Sequence, residues 1–362
     1  MFFNNLARLS DFVDGFLKYN LTSKFKVLKP RSLIINITYN CNSRCVMCNI
    51  WKMKPVGELT ASSWKPFLKD PIFKNIKDLT ISGGEAFLVK DYFETVKLFI
   101  DSMPKLKRLV LNTNGFLVDK IITDVKQVYG YCRLKKINLS VSVSIDGIGK
   151  DHDDIRNIKH AFDLATKTVK KLSVLNKNNN FNVGVSSVLL NTNIDKYNQI
   201  RQWFKKNKIN HNFQLVGFHD TYVNNLNQKN ELDFKDKDKI LNILDDLRKE
   251  DKFLDFNSYY WNDMYQMYKS DKRRTTPCPF LNDGFSIDSL GDVYYCLSVK
   301  PIGNFIKDKK TISQIYFDPK NINFRKSLWK NECRYCNSGC ETKKTIAYDF
   351  KKYLWFKISG KN

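Results

Sequence analysis

The chain has 362 residues, 42% of them hydrophobic, enough for one large α/β domain and a smaller companion. No apolar run reaches membrane-spanning length, and Asn4, Asn5, Arg8 and Asp11 break up the first apolar stretch, which argues against a signal peptide. In a cytoplasmic chain, nine cysteines point to metal or clusters rather than disulfides, while a net charge of +24 spread along the whole length leaves a nucleic-acid partner open without favouring one.

Residues 1–30 place Phe2, Leu6, Leu9, Val13 and Phe16 on one helical face, followed by Lys18, Lys24, Lys26 and Lys29. Such a face suits packing on the protein or peripheral contact with an anionic inner-membrane surface. From 31 to 233, β-branched runs alternate with helical patterns. Strands are expected at Ser32–Tyr39, Asp78–Ser82, Arg108–Thr113, Asn138–Ile145, Asn182–Leu190 and Asn212–Gly217. Helices are expected near Ala61–Leu68, Lys90–Ser102, Lys120–Tyr129, Lys159–Leu175 and Lys196–Lys206. Six parallel strands with outer helices make an α/β fold, a partial (β/α)6 barrel, whose chemistry belongs at the C-terminal strand ends. A charged helical connector over 234–251 leads to a smaller C-terminal cluster-binding domain at 252–345. The tail, 346–362, carries Ile346, Phe350, Tyr353, Leu354 and Trp355 among Lys351, Lys352 and Lys357.

The first strand runs into Cys41-Asn42-Ser43-Arg44-Cys45-Val46-Met47-Cys48, a C-x3-C-x2-C spacing. Three thiolates can ligate three corners of an iron–sulfur cubane and leave one iron open for a substrate. Zinc is the competing occupant, but a fourth ligand is missing nearby: the next cysteine is Cys132 and the first histidine His152. Cys132 reads as an ordinary buried thiol. After the second strand comes Ser82-Gly83-Gly84-Glu85. The fourth carries Ser144-Ile145-Asp146-Gly147, with Arg156 twelve residues beyond Ser144.

Together these stretches resemble the radical S-adenosylmethionine (SAM) superfamily, over most of the chain. The resemblance implies a four-iron cluster on Cys41, Cys45 and Cys48 whose free iron binds SAM, and reductive cleavage of SAM to a 5′-deoxyadenosyl radical that abstracts hydrogen from substrate. It also implies SAM contacts at Gly83, Gly84, Glu85, Ser144 and Arg156, the last two at the carboxylate. Met47 departs from the pattern, which usually has an aromatic before the third cysteine. Asn112, Thr113 and Asn114 end the third strand on the same rim.

Further on, Cys278, Cys296 (closing Gly291-Asp292-Val293-Tyr294-Tyr295-Cys296), Cys333, Cys336 and Cys340 resemble the auxiliary-cluster domain called SPASM, or its shorter Twitch form. The implied ligands of a second four-iron cluster are Cys278, Cys296, Cys333 and Cys336, with Cys340 as alternate; zinc is again the competitor. Four protein thiolates suit electron transfer and make the enzyme an oxidoreductase, fed by a low-potential donor such as flavodoxin or ferredoxin. Leu297 stands where the sulfatase-maturing type places an acidic base. The expected substrate is a small sugar-like or aminocyclitol-like molecule; the alternatives are a peptide or protein, RNA, or a non-enzymatic electron-transfer module. His219, Asp220, Tyr259, Tyr260 and Trp261 are candidate substrate contacts, though such aromatics are more often core and a lone histidine structural.

Overall fold

The computed structural model describes residues 12–177, 179–250, 257–271, 273–276, 278, 280–333, 336–339, 347 and 349–358. The chain forms two compact units, one of Pro30–Asp233 with Phe285–Tyr316, the other of Met1–Lys29, Phe234–Gly284 and Phe317–Asn362.

In the first unit, β1 (Ser32–Asn36), β2 (Asp78–Ser82), β3 (Arg108–Thr113), β4 (Asn138–Ser144), β5 (Asn182–Leu189) and β6 (His211–Leu215) pair in parallel, each with the next. Helices Tyr92–Ser102, Val118–Leu134, Ala161–Lys177 and Tyr197–Lys206 fill the crossovers. All six strands lie within a few residues of the sequence expectation. Their helix-facing residues, among them Leu33, Ile35, Leu79, Ile81, Leu109, Leu111, Val141 and Val143, are buried. The alternate residues of β4 and β5 (Ser140, Ser142, Ser144, Gly184, Ser186) are small and half-buried, with Ser142 opposite Gly184 and Ser144 opposite Ser186. Closed parallel barrels fill that face with Val, Ile and Leu; here it is left roomy and polar.

Part of the expected block over 252–345, residues Phe285–Tyr316, groups with the first unit. Strands β7 (Gly284–Asp288), β8 (Asp292–Tyr294) and β9 (Gly303–Asn304) join the barrel sheet, in the order β6-β5-β4-β3-β2-β1-β7-β8-β9. The physical reason is the edge of an open parallel sheet, where β1 would otherwise present unpaired amides and carbonyls. The β7–β8 and β8–β9 pairs are antiparallel. Phe305 packs on Trp64 and Phe67, and Asp70 accepts hydrogen bonds from the amide and hydroxyl of Ser313.

The second unit is helical: Lys237–Lys249, Asn257–Ser270, Pro319–Asn331 and Phe350–Ile358. The carboxylate of Asp236 caps the first by accepting from the Lys239 amide at 3.0 Å. Tyr259, Tyr260 and Trp261 are core residues, Tyr259 clustering with Tyr353 and Phe356. Phe12 and Phe16 pack edge-on against Phe350, with ring centroids 5.2 and 6.2 Å apart, so the amphipathic ends meet each other within this unit. Phe2, Leu6, Leu9 and Ile346 lie outside the described residues. Among the described residues no helix is long and apolar enough to cross a membrane.

Candidate cofactor site

The Cys41–Cys48 loop hangs from the end of β1, and three neighbours fix its path. The first is the Gly83–Gly84 turn after β2. A Cβ on Gly84 would stand 2.3 Å from the Asn40 carbonyl oxygen, and one on Gly83 2.5 Å from that of Thr38. Only glycine permits this approach, and Gly83 also adopts φ +147°. The Gly84 and Glu85 amides donate to the Thr38 and Asn40 carbonyls, each at 2.8 Å. With the donors so committed, the acceptor side of these peptides is what remains for an ammonium group.

The second is the helix Lys150–Arg156, which the sequence reading did not anticipate. Its last carbonyls receive the loop: Val46 donates to Ile155 at 2.9 Å, and the Arg44 amide and Ser43 hydroxyl donate to Arg156 at 3.1 and 3.2 Å. The loop thus consumes carbonyls that a helix C-terminus leaves unpaired. The Arg156 guanidinium turns the other way. One nitrogen lies 2.6 Å from the buried Asp146 carboxylate, and another donates to the Cys45 sulfur at 3.5 Å. Asp146 is itself fixed by the Val188 amide at 2.8 Å, and its own amide donates to His152 Nδ1 at 3.0 Å. Burial, then the Arg156 charge, pushes His152 down to about 2, so this ring stays neutral.

The third is the segment after β6. Asn225, 1% exposed, donates to the Met47 and Gly217 carbonyls at 2.8 and 3.0 Å, while Asn49 donates to the Val223 and Asn224 carbonyls. His219 sits 3.1 Å from the Ser298 hydroxyl and Thr221 donates to Leu297 at 2.6 Å, beside Cys296, whose sulfur accepts from the Ser298 amide. His219 is therefore engaged with the Cys296 loop.

Glu85 takes a place that the motif alone did not reveal. It is 1% exposed and accepts from the Thr113 hydroxyl and the Asn114 and Phe87 amides at 2.8, 2.7 and 3.3 Å, bracing the β2 turn against the β3 rim. Asn114 continues the brace to the Asn42 side chain at 2.7 Å. Glu58 and Asp288 were missed by sequence reasoning, for no motif contains them. Glu58 accepts from Thr38, Tyr39, Asn40 and Ser289, and Asp288 from the Tyr39 and Tyr294 hydroxyls.

The donor set fits an iron–sulfur cluster. Burial pushes the Cys41 thiol up to about 12 and the Cys48 thiol up to about 11, with the neighbouring cysteines adding to the effect. Soft thiols that are buried or half-buried, with one cationic neighbour, ionise onto a metal centre that supplies positive charge. Among the described residues no three His, Cys, Asp or Glu side chains converge on a single-ion site. Ser144 ends β4 on the roomy face, opposite Ser186. On the same face of β1, the buried Asn36 side chain has no hydrogen-bond partner among the described residues. Cys132 is buried and burial pushes it up to about 12, as an ordinary interior thiol.

Of the second cysteine group, Cys296 belongs to the barrel unit and Cys278, Cys333 and Cys336 to the helical one; Cys340 lies outside the described residues. Within the helical unit, Arg274, 2% exposed, ties two cysteine segments together. Its Nε donates to the Thr276 carbonyl at 2.9 Å, two residues before Cys278, and Nη1 donates to the Ser338 and Cys336 carbonyls at 2.9 and 3.4 Å.

A family profile described as the radical SAM superfamily matches residues 35–204, and one described as the iron–sulfur cluster-binding SPASM domain matches residues 278–340. The sporulation killing factor maturation protein SkfB of Bacillus subtilis is 32% identical over 148 residues, covering 41% of this chain and 34% of that protein. The AdoMet-dependent heme synthase of Methanosarcina barkeri is 33% identical over 151 residues, 41% and 40% of the two chains. The chain thus matches well under half the length of these relatives. Among solved structures, anSMEcpe with bound AdoMet and Kp18Cys peptide superposes with a TM-score of 0.60 at 19% identity, covering 91% of this chain and all of that one.

Proposed function

This chain carries a radical SAM domain followed by a SPASM domain, and from that premise we propose that it is an enzyme that modifies a peptide or protein by radical abstraction of hydrogen. The cofactors of these domains are SAM and two four-iron clusters; Cys41, Cys45 and Cys48 would hold the first, which would supply the electron for reductive cleavage of SAM to methionine and a 5′-deoxyadenosyl radical. The remaining work falls to the chain. Arg156, held by Asp146, would bind the SAM carboxylate, with Ser144 at the end of β4 as its companion. The Gly83–Gly84 peptides would take the ammonium group through their carbonyls. Cys278, Cys296, Cys333 and Cys336, with Cys340 as alternate, would hold the second cluster.

One observation carries the enzymatic reading: the cysteine loop is braced from three sides, with Arg156 lodged between Asp146 and Cys45. Such pre-organisation serves catalysis and would be superfluous in a bare electron carrier. The peptide substrate is supported by the likeness to SkfB and by the peptide-bound fold relative. The expected small sugar finds no support among these relatives.

The test uses reconstituted enzyme, SAM and a perdeuterated extract of the source organism, separated by size. Deuterium entering 5′-deoxyadenosine with the peptide and protein fraction supports the proposal. Enrichment only with the small-metabolite fraction overturns the peptide reading and leaves the radical chemistry standing; no 5′-deoxyadenosine in any fraction overturns both.

A further inference from the structure

Arg274 makes several contacts within the helical unit, and one of its nitrogens has no partner among the described residues. Beyond the carbonyls of Thr276, Cys336 and Ser338, its guanidinium lies 5.8 Å from the Tyr260 ring centroid, and its Nε is 3.9 Å from the buried Asp263 carboxylate. Asp263 in turn accepts from the amides and hydroxyls of Thr275 and Thr276, so both the arginine and the segment before Cys278 are held from helix Asn257–Ser270. Tyr260 closes the other side, donating to the Asn337 carbonyl. The Ser338 amide donates to the Cys336 sulfur at 3.4 Å, and the carbonyl of the same residue receives Arg274. Arg274 Nη2 is buried and has no partner among the described residues.

An unmatched N–H in a packed interior calls for an acceptor, and the described residues do not provide one.

We propose that Arg274 is a tuning residue of the auxiliary cluster: it fastens the segment leading to Cys278 to Cys336 and Ser338 and donates its Nη2–H to a cluster sulfur. A cation and a hydrogen bond at a cluster sulfur stabilise the reduced, more negative state and raise the potential. The inference rests on the reading of these cysteines as cluster ligands.

The experiment is potentiometric electron paramagnetic resonance on the full reconstituted chain. The signal that SAM does not perturb reports the auxiliary cluster. Arg274→Gln is expected to shift its reduction equilibrium at least tenfold towards the oxidised form, about 59 mV lower for one electron, with Arg274→Lys in between. To keep the test independent of iron loss in a variant, the unmodified chain is also grown with guanidino-15N arginine. Pulsed spectra of the reduced auxiliary cluster should then show 15N coupling that Arg274→Lys lacks. Unchanged midpoints in iron-replete variants, or no 15N coupling in the labelled parent, overturn the role of Arg274. One four-iron cluster plus stoichiometric zinc would instead overturn the cluster reading, and the metal ratio tells the two failures apart.

Discussion

Arg156 is 7% exposed and stands between a carboxylate and a thiol, so its replacement has two separable effects. Arg156→Ala leaves Asp146 buried without its cation, which costs about 3–5 kcal/mol of stability. It should also weaken SAM binding by roughly 10- to 100-fold, the loss of a charged hydrogen bond to carboxylate. Adding Asp146→Asn to that variant removes the stranded charge, so denaturant midpoints should recover while SAM affinity does not. SAM affinity unchanged in Arg156→Ala would restrict the residue to holding the loop. The sequence pointed to Arg156 through its spacing from Ser144. It did not show that Asp146, between them, is the group that orients it, because Asp146 gains that meaning only when β4 and the helix Lys150–Arg156 lie side by side.

Element by element, the strands were legible and the supports of the site were not. β4 reads Asn-Leu-Ser-Val-Ser-Val-Ser, and its apolar residues are the ones buried under helices. The helix Lys150–Arg156 reads Lys-Asp-His-Asp-Asp-Ile-Arg, with no apolar stripe, because its buried face is made of His152, Ile155 and Arg156. Periodicity cannot find a helix whose inner face is polar. The aromatic stretch at 259–261 was similarly silent, since Tyr and Trp suit helix and strand alike, and it proves to lie in helix Asn257–Ser270. The paired glycines were seen as an approach to a ligand; they also let the β2 turn approach the chain's own Thr38–Asn40 backbone. Gly84→Ala, set against a carbonyl oxygen at 2.3 Å rather than a flexible side chain, should push the cysteine loop aside. Reconstituted Gly84→Ala is expected to lose much of its SAM-responsive cluster signal while the auxiliary signal persists. Full occupancy of both would show that the loop can yield.

At the scale of the whole molecule, two cysteine groups predict about eight irons per chain. Replacing Cys41, Cys45 and Cys48 together by Ala should leave about half of that iron and abolish SAM cleavage; complete loss of iron would mean that the second site depends on the first. The sequence showed two cysteine groups but not that β7, β8 and β9 pair onto the sheet of the first unit, because strand pairing across a sheet edge leaves no local signature. That edge has a consequence for how the protein is made. On the ribosome, β1 emerges long before β7, and at about 5–20 residues per second its open side waits roughly 10–50 s for its cover. Throughout that interval the growing polypeptide presents a bare β-edge to its neighbours on the polysome. The last part of the sheet to be synthesised therefore acts as an intramolecular chaperone for the first, and a chain released at Asp233 would keep its adhesive edge for good.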